Sequence, residues 1–195
     1  DVIMGTGKLK PGKKVEVTAA DGTKSTYEAS HVILATGARS RELPNLKQDG
    51  KKVFGYREAM NLPKQPASLV VVGSGAIGVE FAYFYNAMGT KVTIVEFMPN
   101  IVPVEDEEVS KQLLKSFKKS GIEIMTESTV EGVDTSGSLC KVSIKNKKGE
   151  LVTVEAEAVL SAVGITPNIE NIGLEDVGII TDKGRVVVND FYQTN

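Results

Sequence analysis

The chain has 195 residues, of which 41% are apolar and 25% charged, with a formal net charge of −2. That is the profile of a soluble globular chain, with no basic block to hold nucleic acid and no apolar run near the about 20 residues that a membrane span needs. A single cysteine, Cys140, cannot build a disulfide framework and fits a reducing compartment. No signal-peptide pattern opens the chain, although it starts at Asp1 rather than Met and so reads as a piece cut from something longer.

Val2 to Leu9 reads as a short strand. Val15–Val17 alternates, Asp21-Gly22 is a hairpin turn, and Ser25–Tyr27 is the return strand. His31-Val-Ile-Leu-Ala35 has the composition of a buried core strand running into Thr36-Gly37. Ser40 to Gln65 is polar, contains Pro44 and Pro63, and reads as a connector with one short helix near Arg57 to Leu62.

Leu69-Val-Val-Val72, stopped by Gly73, suits a parallel strand buried on both faces. Ile77 to Met88 is helical, with Gly89 as its stop, and Lys91 to Glu96 is the next strand. A second helix covers Glu105 to Ser120. Val109, Leu113 and Phe117 form its expected core stripe, with acids at its start and Lys118-Lys119 at its end. Ile122 to Met125 is a third parallel strand, Thr129 to Val154 a meander, and Ala158 to Val163 a core strand ending at Gly164.

The segment Thr26 to Gly37 can be laid on Thr153 to Gly164 at a constant offset of 127, with six of twelve residues identical. The turn glycines Gly22 and Gly149 share the offset. This predicts two related domains, each with a meander before its last core strand, rather than a chance likeness of strand composition. The first copy lacks a βαβ unit of its own, which is expected to lie upstream of Asp1.

Gly73-Ser-Gly-Ala-Ile-Gly78 is a G-x-G-x-x-G run placed between an apolar strand and a helix, inside a βαβ unit that spans Leu69 to Glu96. In that setting it signals a dinucleotide site. Gly73 permits the turn, Gly75 lets the backbone approach a pyrophosphate, and Gly78 lets helix and strand pack closely. Glu96 ends the second strand, where an acid accepts hydrogen bonds from the adenosine ribose and repels a 2′-phosphate. The spacing therefore selects NAD over NADP.

Glu80 has two open readings, a carboxylate favoured by the dipole in the first helical turn or a group near the nicotinamide. His31 has no partner at a catalytic or metal spacing, and Cys140 reads as a small apolar filler. No residue stands out as a nucleophile or general base, and no metal site is expected.

Ala35-Thr-Gly-Ala-Arg-Ser-Arg-Glu-Leu-Pro44, Val70 to Glu96 and Ala162-Val-Gly-Ile-Thr-Pro-Asn168 together resemble the flavoprotein disulfide reductases, and within them the dihydrolipoamide dehydrogenases. The resemblance implies an α/β architecture: a Rossmann-like NAD domain with a parallel sheet and meander over 43–165, a partial FAD domain over 1–42, and a truncated return to it over 166–195. It implies NAD contacts at Gly73, Ser74, Gly75, Ala76, Ile77, Gly78, Val79, Glu80, Glu96, Val130 and Gly164, with Glu80 and Ile77 beside the nicotinamide. It implies FAD contacts at Gly7, Thr36, Gly37 and Ala38.

Ile165 departs from the arginine usual at its position in that family. The family's first Gly-rich FAD motif, its redox cysteine pair, its Gly-Asp flavin motif and its His–Glu dyad are not in this sequence. The resemblance thus implies the NAD(H)-binding portion of an oxidoreductase that passes electrons between dihydrolipoamide, a redox disulfide, FAD and NAD. The full protein would be a homodimer of the cytoplasm or mitochondrial matrix that can join a 2-oxo acid dehydrogenase complex. The piece alone would be inactive and retain no FAD. Alternatives are a same-fold flavoprotein with another acceptor (a peroxide, a CoA disulfide or ferredoxin) and a non-catalytic NAD-sensing module.

Overall fold

A computed structural model describes residues 1–195. The chain divides into two units, residues 1–39 with 166–195, and residues 40–165. It crosses between them at β4 (Ala38–Ser40) and β13 (Ile165–Pro167).

The first unit is built on an antiparallel meander of β1 (Thr6–Lys10), β2 (Lys14–Thr18) and β3 (Lys24–Glu28). The Leu9 N–H donates to the Ile172 carbonyl at 2.8 Å, and Lys8 pairs with Asp176 at 2.9 Å. A small hairpin of β14 (Thr181–Asp182) and β15 (Arg185–Val186) follows.

His31–Ala35 is not a strand. It runs without regular pairing and is exposed apart from a half-buried Leu34. A buried strand needs hydrogen-bonded neighbours on its edges and cover on its faces, and no other segment of the unit lies beside this one to supply them. Its composition is that of a core strand; its surroundings are not.

The second unit has a five-stranded parallel sheet in the order β5-β12-β6-β7-β8. These strands are β5 (Val53–Phe54), β6 (Ser68–Val72), β7 (Lys91–Val95), β8 (Glu123–Met125) and β12 (Ala158–Ser161). One face carries α1 (Tyr56–Ala59), α2 (Ala76–Ala87) and α3 (Glu107–Lys119). The other is covered by a meander of β9 (Thr129–Asp134), β10 (Cys140–Lys145) and β11 (Leu151–Ala156).

The strand period of two sorts β6 between these layers. Leu69 and Val71 enter the helix-side core with Phe54, Ile94 and Leu160. Val70 and Val72 enter the meander-side core with Val142, Ile144 and Cys140. All four are buried, which is why the run reads as continuously apolar rather than alternating.

The meander half of the repeat is present in three dimensions. β2 and β3 lie at the repeat offset from β10 and β11. The connector holds one strand that composition did not reveal, β5, and its helix is a single turn at Tyr56–Ala59.

α3 begins later than expected, at Glu107. Asp106 caps it by accepting the Glu108 N–H at 2.8 Å. Its buried face is also rotated. Val109 is 54% exposed, while Ser110 turns inward and donates to the Ile101 carbonyl at 2.8 Å. Position 110, not 109, shares a face with Leu113, Leu114 and Phe117 at i, i+3, i+4 and i+7, and the hydroxyl's bond satisfies the one polar group that this spacing buries. Leu113, Leu114 and Phe117 complete the inner face.

Candidate dinucleotide site

The site lies at the C-terminal edge of the sheet, where β6 stands between β7 on one side and β12 on the other. This reversal of strand order is where open α/β sheets take their ligands. The loop from β6 to α2 has two glycines that packing demands. At Gly73 φ is +98°, and a β-carbon would lie 2.5 Å from the Ala162 carbonyl oxygen. At Gly78 a β-carbon would fall onto the Gly73 carbonyl oxygen. Gly75 differs. Its backbone is ordinary, and a β-carbon would meet nothing within 4 Å.

Gly75 caps α2 with no side chain, and no acidic residue stands in the helix's first turn. The first helical bond across this end runs from the Val79 N–H to the Gly75 carbonyl. The N–H groups of Ala76, Ile77 and Gly78 therefore lie ahead of any i→i−4 acceptor, at the positive end of a twelve-residue helix. Open space in front of unpaired donors and a positive helix end fits a pyrophosphate.

Glu96 directly follows β7 and is 7% exposed. Its Oε2 accepts the Ser74 N–H at 2.7 Å and the Ser74 hydroxyl at 2.6 Å, and its Oε1 accepts the Met98 N–H at 2.7 Å. A carboxylate offers about four acceptor positions, so one remains, on Oε1. Its backbone is tied as well, to the Met125 carbonyl and to the Ser128 N–H. Ser74 is fully buried, and its carbonyl accepts the Val102 N–H at 2.8 Å. Its side chain therefore faces Glu96 rather than open space.

Glu80 is exposed and belongs to the second turn of α2, so the dipole reading for it falls away. Ile77 is half-buried, Ala76 exposed and Val79 buried in the helix-side core. Val130 is buried in the meander-side core, and its carbonyl accepts the Asn45 side-chain amide. Gly164 is exposed with φ +115°, and its carbonyl accepts the Arg41 N–H at 2.9 Å.

In the first unit, Gly7 lies in β1. The Thr36 and Gly37 carbonyls are bonded to Asn168, through its side-chain amide at 3.1 Å and its N–H at 3.0 Å. Gly7, Thr36 and Gly37 are exposed and Ala38 is half-buried. His31 is exposed. Cys140 is fully buried, and burial pushes its thiol up from the ordinary range.

Two residues at the site carry roles that the sequence did not announce. Ala162 forms the wall that makes Gly73 obligatory, and Val102 holds the Ser74 carbonyl. Nothing local in the sequence pointed to either.

The family of pyridine nucleotide-disulphide oxidoreductases matches this chain over residues 1–195. The chain belongs to that family. It is 40% identical over its whole length to a dihydrolipoyl dehydrogenase of Zymomonas mobilis, covering 42% of that protein. It is 41% identical to a dihydrolipoyl dehydrogenase of Rhizobium etli, covering 44% of it. Among solved structures it is similar to LpdA of Mycobacterium tuberculosis, with TM-score 0.83 and 34% identity over 96% of this chain and 41% of that one. It is also similar to the HOCl-induced flavoprotein disulfide reductase RclA of Escherichia coli, with TM-score 0.85 and 25% identity over 100% of this chain and 43% of that one. The chain thus spans about two fifths of the length of these relatives.

Proposed function

We propose that this chain is the NAD(H)-binding portion of a dihydrolipoyl dehydrogenase-like oxidoreductase. The observation that carries the reading is the pairing of an open glycine cradle with a buried acid at the end of the next strand. The donors at the start of α2 take the pyrophosphate. The remaining acceptor on Glu96 Oε1 takes an adenosine ribose hydroxyl, and the fixed negative charge disfavours a 2′-phosphate. Bound NAD supplies a ring that accepts or gives up hydride. In this reading Ile77, Glu80 and Gly164 orient it.

The residues at Gly7, Thr36, Gly37 and Ala38 do not by themselves fit a flavin, because three are exposed and no element of this chain closes over them. The chain's one cysteine is buried in β10, so it offers no thiol pair for disulfide exchange. On its own, then, this chain binds nucleotide without turning over dihydrolipoamide. Flavin, redox disulfide, homodimer and any 2-oxo acid dehydrogenase complex belong to the proposal for the whole protein. The likeness to RclA keeps a second reading in play, the same nucleotide site serving a different electron acceptor.

Titration calorimetry tests the nucleotide assignment. NAD or NADH is expected to bind, NADP more weakly, and Glu96→Arg is expected to weaken NAD and narrow or reverse the preference. NADP bound more tightly than NAD by the unmutated chain would overturn it.

A further inference from the structure

The crevice above β6 has two sides. Glu96, at the end of β7, marks the adenosine side. A dinucleotide lying across the switch point must send its other half over β12. The chain that leaves β12 passes Ala162, whose carbonyl closes against Gly73, and reaches the exposed Gly164.

Arg41 lies there. Its N–H donates to the Gly164 carbonyl at 2.9 Å, which fixes its backbone beside that residue. Its guanidinium lies alongside as well: a β-carbon at Gly164 would be 3.8 Å from both Cζ and Nε of Arg41. The arginine is exposed, and its guanidinium enters no ion pair or hydrogen bond. Arg39, two residues earlier, is already committed to Glu170.

We infer that Arg41 is a binding residue for the nicotinamide-side phosphate of the dinucleotide, reaching it from beside Gly164. The inference rests on the NAD reading above. A guanidinium suits the role because its planar fork can meet two phosphate oxygens at once. Its neighbour Gly164 follows β12 and Glu96 follows β7, the two strands that flank β6, so in this reading cation and acid sort the two halves of the ligand: phosphate toward β12, uncharged ribose toward β7.

The test is calorimetric titration of the wild type, Arg41→Gln and Arg41→Lys with NADH, ADP-ribose and AMP. Melting temperature is measured alongside. AMP carries the adenosine half and one phosphate; NADH and ADP-ribose carry the second. Arg41→Gln is expected to weaken NADH and ADP-ribose about tenfold, the size of one charge-assisted bond at an exposed site. It should leave AMP binding and the melting temperature unchanged. Arg41→Lys should recover part of the loss, and added salt should shrink the difference between wild type and Arg41→Gln.

Equal NADH binding by wild type and Arg41→Gln would overturn the Arg41 assignment and leave the NAD site standing. Equal weakening of AMP and NADH would also overturn it, since the effect would not be local to the second phosphate. A wild type that binds none of the three would overturn the dinucleotide reading itself, and this inference with it.

Discussion

The Ser74 hydroxyl donates to the Glu96 carboxylate at 2.6 Å, and both residues are buried. The bond joins the glycine loop to the end of the neighbouring strand, so the group that would read the ribose is held by the loop that would hold the phosphates. A short bond to a charged acceptor is worth about 1.5–3 kcal/mol when its partners are desolvated. Ser74→Ala removes it but keeps the backbone N–H bond to the same oxygen at 2.7 Å. The variant is expected to fold, to lose about 1–2 kcal/mol of stability, and to bind NAD several-fold more weakly with NADP unaffected. Denaturant unfolding and calorimetry on the same samples check both. Unchanged NAD affinity would mean that Glu96 holds its position without the hydroxyl.

Gly75 and Gly78 separate binding from packing. A methyl at Gly78 collides with the Gly73 carbonyl, so Gly78→Ala forces α2 away from β6. Overpacking of this kind costs about 1–3 kcal/mol, and for a chain of this size the melting temperature should fall by several degrees. A methyl at Gly75 meets nothing within 4 Å and needs no unusual backbone. Gly75→Ala should therefore melt within a few degrees of the wild type while losing NADH affinity about tenfold or more, because the methyl stands where the phosphates approach. If Gly75→Ala binds NADH normally, the ligand does not come close to this backbone.

The features readable from sequence are those fixed by neighbours along the chain. The apolar run of β6, the stop at Gly89 and the tight glycine turn from β6 into α2 follow from local rules, and each is found in place. Glu96 could be located by counting, but its attachment to Ser74 could not, because side-chain direction depends on how the loop turns. His31–Ala35 failed for the opposite reason: strand composition is local, whereas a strand requires partners. Val109 faces out and Ser110 in because Leu113, Leu114 and Phe117 centre the buried face one residue further on than the 109/113/117 stripe, and the Ile101 carbonyl satisfies the buried hydroxyl. Arg41 was invisible because it meets Gly164 from a distant part of the chain.

Glu170 provides a pH-dependent contact in the first unit. Arg39 donates to its two carboxylate oxygens at 2.7 and 3.1 Å, and Asn168 accepts a further bond from Arg39 at 2.9 Å. Hydrogen bonding to Arg39 holds the Glu170 carboxyl at about 2, well below the ordinary value. A carboxylate depressed in the folded state stabilises the fold fully above its unfolded value, about 4.3, and that contribution is lost as the pH falls from there toward 2. The pair is half exposed, so salt should weaken it. Carboxyl-carbon NMR is expected to show Glu170 titrating near 2 at low salt and higher at 1 M salt. Arg39→Gln should return it toward the ordinary range. A wild-type midpoint near 4.3 at low salt would mean that the Arg39–Glu170 pair does not persist in solution.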